Sequence, residues 1–301
     1  MLQDLRLARS TGVMSIPTSV LDVVKLLVID TGHKFLFIGG LHRSGTSPLH
    51  RCITDHPEVS GFSETGAPKN EGQHLQDVYP PAPTFGGPGI FGFDSSSYLD
   101  EDSQLANKEN AEELSAQWSR HWDLSKPILA EKSPPNLVRA RFLQALFPET
   151  HFVMIVRHPI AVSYATRKWT DLLGYLSRRI VGRELRPYLH TIRLPIWLLI
   201  KHWVVCHERL KKDSEKIRNL LKVKYENLAE DTICKFEKIW KFIGVEPFDL
   251  NREIKCRLNR KYLYKWRKLT RRRDAVGNFY FGYVFREYED RVRKFGYSLG
   301  V

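Results

Sequence analysis

The chain has 301 residues, 42% of them hydrophobic and 27% charged, so it can bury a substantial core as one large domain or two small ones. Its net charge of +13 favours an anionic ligand: a nucleotide, a sulfated glycan, nucleic acid or a membrane surface. Four cysteines (Cys52, Cys206, Cys234, Cys256) show neither CxxC pairing nor metal-ligand spacing with histidine, which argues against a disulfide framework and a zinc site.

In chain order, the first apolar stretch is LDVVKLLVID, too short and too charged to span a bilayer. Residues 1–32 read as an N-terminal extension and 33–301 as a single domain. Phe35 to Ile38 reads as a buried strand that breaks at Gly39-Gly40 and runs through Arg43-Ser44-Gly45-Thr46-Ser47 into a helix. Such a turn holds an anion with successive backbone N–H groups and a helix N-terminus. It lacks the Gly-Lys-Ser/Thr ending of the ATPase loop, so the expected ligand is a nucleotide anion held without a metal.

Between Tyr79 and Asp94, eight of sixteen positions are Gly or Pro, which predicts a loop. A polar helix is expected over about 103–123, with Leu105, Leu114 and Trp118 inward. Pro127 to Ala130 predicts a short strand delivering Glu131-Lys132-Ser133, and Pro134-Pro135 opens a helix running to about Phe147. Phe152 to Val156 is the clearest buried strand and ends at Arg157-His158-Pro159. Helices are expected over 160–173, 196–212 and 232–243, with a strand over 221–225. The most apolar of these regions, LPIWLLIKHWVVC, is interrupted by Lys201 and His202 and reads as a packed helix. Alternating strands and helices predict an α/β fold with a P-loop-like parallel sheet flanked by helices. Ligands of such sheets sit beyond the strands' carboxyl ends, where Arg43, Lys132, Arg157 and Tyr225 all fall. Finally, Arg252 to Arg273 holds eleven Lys/Arg against one acidic residue, interleaved with Tyr262, Tyr264 and Trp266. It reads as a solvated basic helix, a platform for an anionic acceptor or a nucleic-acid patch.

Taken together, RSGTS (43–47), EKSP (131–134), LFPETHFVMIVRHP (146–159) and KYENL (224–228) resemble the sulfotransferases that use 3′-phosphoadenosine 5′-phosphosulfate (PAPS). Their spacing is most similar to the tyrosylprotein, carbohydrate and bacterial branches. The resemblance implies that Arg43, Ser44, Gly45, Thr46 and Ser47 cradle the 5′-phosphosulfate, that Arg157 takes the 3′-phosphate and that Tyr225 lies near the adenine. The family's phosphate-binding serine falls eight residues after the arginine, where this chain has Ala165. A two-residue shortening brings in Ser163 and Arg167, with Thr166 as the substitute. Lys132 matches the lysine that serves the bridging oxygen. Glu64, 21 positions after Arg43, matches the catalytic glutamate of the tyrosylprotein branch, with Glu71 and His74 as rivals for the role of base.

The implied reaction moves a sulfuryl group from PAPS to an acceptor hydroxyl on a carbohydrate, a tyrosine or a small molecule, with no metal required. A nucleotide-dependent phosphotransferase and a non-enzymatic nucleic-acid- or glycan-binding protein are the alternatives. The expected partner is a hydroxyl-bearing acceptor, a glycan or peptide among the candidates, and no nucleic acid. The expected compartment is the cytoplasm, or the Golgi lumen if an anchor precedes this chain.

Overall fold

The computed structural model describes residues 32–170, 193–254 and 257–300. The N-terminal extension to residue 31 and the segment 171–192 lie outside the described residues, and the helix expected over 160–173 already ends at Arg167.

Five parallel strands form one sheet in the order β2-β3-β1-β4-β5. They are β1 (Lys34–Gly39), β2 (Val59–Gly61), β3 (Ile128–Lys132), β4 (Thr150–Val156) and β5 (Leu220–Lys224). Parallel strands need crossovers, and helices supply them. The crossovers carry α1 (Thr46–Thr54), α2 (Lys108–Ser119), α3 (Ala140–Leu146), α4 (Pro159–Arg167) and α5 (Ile196–Asp213), and α6 (Tyr225–Glu230) and α7 (Thr232–Ile243) follow β5. Beyond the sheet come α8 (Arg257–Thr270), a short α9 (Ala275–Asn278) and α10 (Phe285–Arg293).

The central strands are apolar on both faces, and the period-2 alternation sorts them into two cores. Phe35 and Phe37 of β1 and Phe152 and Met154 of β4 pack with Trp118 of α2 and Trp203 of α5. Leu36, Ile38, Val153 and Ile155 pack on the opposite face with Leu49 of α1 and Trp240 of α7.

The sequence reading and the structure differ in several places. β2 is not among the expected strands, because its three residues are too few for a periodicity. The helix opened by Pro134-Pro135 is a 3₁₀ turn over Pro134–Val138, separated from α3 by the non-helical Arg139. The Arg139 guanidinium is drawn inward to the carbonyls of Ser97 and Pro80 at 3.2 and 2.9 Å, which pins the Gly/Pro loop to the sheet. That loop is a chain of 3₁₀ turns and not a free coil. The strand expected over 221–225 is Leu220–Lys224, so Tyr225 falls just after its end and opens α6. The polar helix expected over 103–123 is the shorter α2, capped by Asn107, whose side chain accepts from the Asn110 N–H at 2.9 Å.

Candidate active site

The strand ends place four segments around one cleft. β1 ends at Gly39, and the chain turns over β4 so closely that a Cβ on Gly40 would lie 2.6 Å from the Ile155 carbonyl oxygen. At Gly45, with φ of +105°, a Cβ would lie 2.4 Å from the Tyr225 ring. Only glycine fits either position. Arg43 itself adopts a left-handed φ of 70°, a strained conformation for an arginine. Ser44 is fully buried and its Oγ has no partner among the described residues, an orphaned polar atom in the wall of an anion-binding turn. α1 begins at Thr46 with no acidic residue in its first turn, so its N-terminus keeps its positive end for a ligand.

β3 supplies Lys132, whose side chain is 1% exposed. Its ammonium donates to the Lys69 carbonyl at 2.9 Å and to Glu71 Oε1 at 3.3 Å. An ammonium has three N–H donors, so this leaves one for a ligand. Burial pushes the lysine's pKa down, and the carboxylate of Glu71 pulls it back up. Lys69 and Asn70 present that carbonyl from consecutive left-handed conformations, with φ of 57° and 49°.

Glu71 is fixed from the other side by Gln73, whose Nε2 donates to Oε2 at 2.6 Å. Gln73 in turn accepts from the Ala82 N–H at 2.8 Å, and its own N–H donates to Ser133 Oγ at 3.0 Å. The turn over 72–74 is held to β3 by Glu131, which accepts from the Gly72 N–H at 2.9 Å and from Ser133 Oγ and Asn136 Nδ2, both at 2.5 Å. Burial pushes the Glu131 carboxyl up to about 7, against those hydrogen bonds, which stabilise its ionised form.

A cavity of about 290 Å³ opens between these segments. Its walls include His42, Arg43, Thr46 and Ser47 from the loop, Lys69, Glu71, Gln73 and His74 from the turns, and Trp169 beyond α4. Arg43 carries its guanidinium 5.7 Å from the Trp169 ring. Burial depresses His42 to about 4 and moves His74 down as well, so both rings are neutral at pH 7. Glu64 is exposed, has a φ of 52° and is not part of this wall. Of the three carboxylate and imidazole groups singled out by sequence, Glu71 and His74 line the cavity.

β4 supplies Arg157, buried to 6% exposure. Its guanidinium donates to Asn259 Oδ1 from Nε at 2.9 Å and from Nη2 at 2.5 Å, and to the Arg43 carbonyl from Nη1 at 2.9 Å. It lies 4.2 Å from the centre of the Tyr225 ring, a cation–π contact. Asn259 donates to Glu226 at 2.8 Å, so the basic helix α8 reaches the site through a neutral amide. The structure thus joins the Arg43 loop, Arg157 and Tyr225.

On α4, the Oγ of Ser163 is buried without a partner and borders a small void shared with His42 and Thr166. Thr166 Oγ1 donates to the His42 carbonyl at 3.2 Å, and exposed Arg167 donates to the Leu194 carbonyl at 3.1 Å. No hydrogen bond joins Ser163 or Arg167 to Arg157 among the described residues.

His42, Gln73, Glu226 and Asn259 are not singled out by sequence. Asn259 has a readable signal: it shares the i, i+3, i+7 face with Tyr262 and Trp266, which are 4% and 1% exposed, and is the one polar member of that buried stripe. Among the described residues no group of three His, Cys, Asp or Glu side chains is placed to hold a metal, and no helix is long and apolar enough to cross a membrane.

Comparison with known proteins adds three findings. A model of the sulfotransferase family matches residues 36–249. No curated protein matches the chain. Solved structures similar in fold include a sulfotransferase from Alicyclobacillus acidocaldarius, at 18% identity and a TM-score of 0.44, covering 77% of this chain and 91% of that one. A Mycobacterium avium sulfotransferase aligns at 13% identity and a TM-score of 0.47, covering 86% and 76%. A mouse sulfotransferase complexed with PAP aligns at 13% identity and a TM-score of 0.38, covering 91% and 88%.

Proposed function

The chain belongs to the sulfotransferase family, and we propose that its donor is PAPS and that Glu71 and Lys132 carry the transfer to an acceptor hydroxyl. The observation that supports this reading is Lys132, a buried cation with one N–H left over, bonded to Glu71, a carboxylate that lines the same cavity as the Arg43 loop.

The residues fit the donor's two anionic ends. The orphaned Ser44 Oγ, the α1 N-terminus and the backbone of 43–47 suit the 5′-phosphosulfate, with Thr46 and Ser47 as further hydroxyl donors. Arg157, balanced by a neutral amide and a ring face, keeps its charge for the 3′-phosphate. Tyr225 presents its ring beside that arginine, near where an adenine would lie. Ser163 and Arg167 are proposed to complete the 3′-phosphate site after the two-residue shortening, Ser163 through its unpartnered Oγ.

PAPS, when bound, supplies an activated sulfuryl group on a phosphate leaving group. The chain's own residues then do three things. Glu71, held in place by Lys132 and Gln73, takes the proton of the acceptor hydroxyl. The remaining N–H of Lys132 faces the negative charge that develops on the leaving oxygen. The walls hold the reacting groups in line, which supplies much of the rate in transfers of this kind. Glu71 is preferred to Glu64 as base because it lines the cavity and touches Lys132. His74, neutral and 3.9 Å from Glu71, is the second candidate.

The test is release of PAP from PAPS across a panel of phenolic, sugar and peptide hydroxyls, with mass-resolved products. Sulfation of at least one acceptor, lost in Lys132→Ala and Glu71→Gln, is the expected result. An intact protein that neither binds PAP nor sulfates any acceptor overturns the assignment.

A further inference from the structure

A second cavity, of about 270 Å³, lies at the outer edge of the sheet, away from the cleft. Val156 of β4, Leu210 of α5, Val223 of β5 and Phe295 after α10 give it an apolar lining. Lys211, Lys222 and Lys294 stand around it, all exposed, and Lys224 completes the ring. Lys224 already donates to the Gly296 carbonyl at 3.2 Å and lies over the Tyr297 ring. The side chains of the other three make no ion pair or hydrogen bond among the described residues. Basic side chains from three separate elements therefore converge on one apolar hollow with no carboxylate in its lining.

His207 forms part of the wall and is 1% exposed. Its Nδ1 lies 2.7 Å from the Trp203 carbonyl oxygen, which can only accept, so Nδ1 carries the proton and Nε2 is a bare acceptor. That Nε2 is buried without a partner, an unmet hydrogen-bonding capacity that needs explaining in a packed core.

We propose that this hollow is a second ligand site, for a small aromatic or aliphatic anion that also carries a hydroxyl or N–H donor. The apolar body fills the space over Val156, Leu210, Val223 and Phe295. The anionic head, a carboxylate, sulfonate or phosphate, meets the three free lysines at the rim, and the donor satisfies His207 Nε2. Neither a bare inorganic anion nor a neutral apolar molecule meets all three demands. The site also adjoins the segment that carries Tyr297, whose hydroxyl donates to Glu226 at 2.8 Å, the same carboxylate that holds Asn259 against Arg157.

The probe is para-hydroxybenzenesulfonate, titrated calorimetrically into the full chain, with inorganic sulfate and phenol as single-feature controls. The wild-type chain and Arg43→Ala, which alters only the main cleft, are expected to bind the probe equally. The Lys222→Glu/Lys294→Glu double variant, altered only at exposed positions, is expected to bind it about tenfold or more weakly, as for two inverted charges facing an anion. Sulfate or phenol binding as tightly as the probe overturns the proposal, as does no probe binding at all. Loss of binding in Arg43→Ala but not in the double variant assigns the probe to the main cleft and also overturns it.

Discussion

Two buried cations stand at the ends of β3 and β4, the strands on either side of β1, and they are held in opposite ways. Lys132, at the end of β3, faces a carboxylate at 3.3 Å and a backbone carbonyl. Arg157, just after β4, faces a neutral amide, a carbonyl and an aromatic ring. The first cation is paired with a carboxylate within the protein. The second is positioned without being neutralised, so its charge remains available to a ligand. A cation paired with a carboxylate suits a chemical step in which charge moves, and a cation paired with an amide suits ground-state binding of an anion. Each region also buries a histidine held neutral by desolvation, His42 beside the lysine and His158 beside the arginine.

The largest effect strikes both regions at once. His42 and His158 are both depressed from 6.5 to about 4 in the folded chain. A base with a lowered folded pKa is stabilising above its unfolded value and loses that contribution as pH falls toward the folded one. Thermal stability should therefore drop steeply between pH 6.5 and 4, with proton uptake on unfolding in that window. A melting temperature flat across the window would mean that neither ring is as buried as the structure has it.

Next comes the chemical side of the comparison. Glu71→Gln removes the base and leaves Lys132 unneutralised, so kcat should fall by about 10²–10⁴-fold while donor affinity holds or tightens. Glu64→Gln should leave kcat near the wild-type value. If the two variants exchange roles in steady-state assays, the exposed carboxylate is the base and the Lys132–Glu71 pair is structural.

On the binding side, Arg157→Ala should weaken PAP binding by about 1.5–3 kcal/mol, the range for hydrogen bonds to charged groups. Asn259→Ala, which removes the amide but not the charge, should cost about 0.5–1.5 kcal/mol. Calorimetry in which Asn259→Ala costs as much as Arg157→Ala would show that positioning, and not charge, dominates this end.

The smallest effect separates neighbours on α4. Ser163→Ala should lower PAP affinity by about 0.5–1.5 kcal/mol, the worth of one hydrogen bond, and Thr166→Ala by less, since its hydroxyl is already engaged by the His42 carbonyl. The reverse order would place Thr166 at the 3′-phosphate.

The order of residues along the chain was enough to specify four of the five strands, the anion-binding turn and which cations lie at strand ends. Those features are local: an apolar run such as FVMIV has no stable alternative to a buried strand, and the glycine-bearing turn after β1 leads directly into a helix N-terminus. The four motifs that carry the family resemblance are equally local. Packing decided which carboxylate meets Lys132. Glu64 and Glu71 sit seven positions apart in a loop without periodicity, and the placement of Glu71 depends on Glu131 and Ser133 anchoring the 72–74 turn to a strand about sixty residues away. Packing also decided that the basic segment meets Arg157 through Asn259 and not through a lysine, because the buried face of α8 is selected by contact with α4 and the C-terminal segment. The periodicity of α8 marks Asn259 as buried but does not name its partner 102 positions away, which only the folded chain reveals.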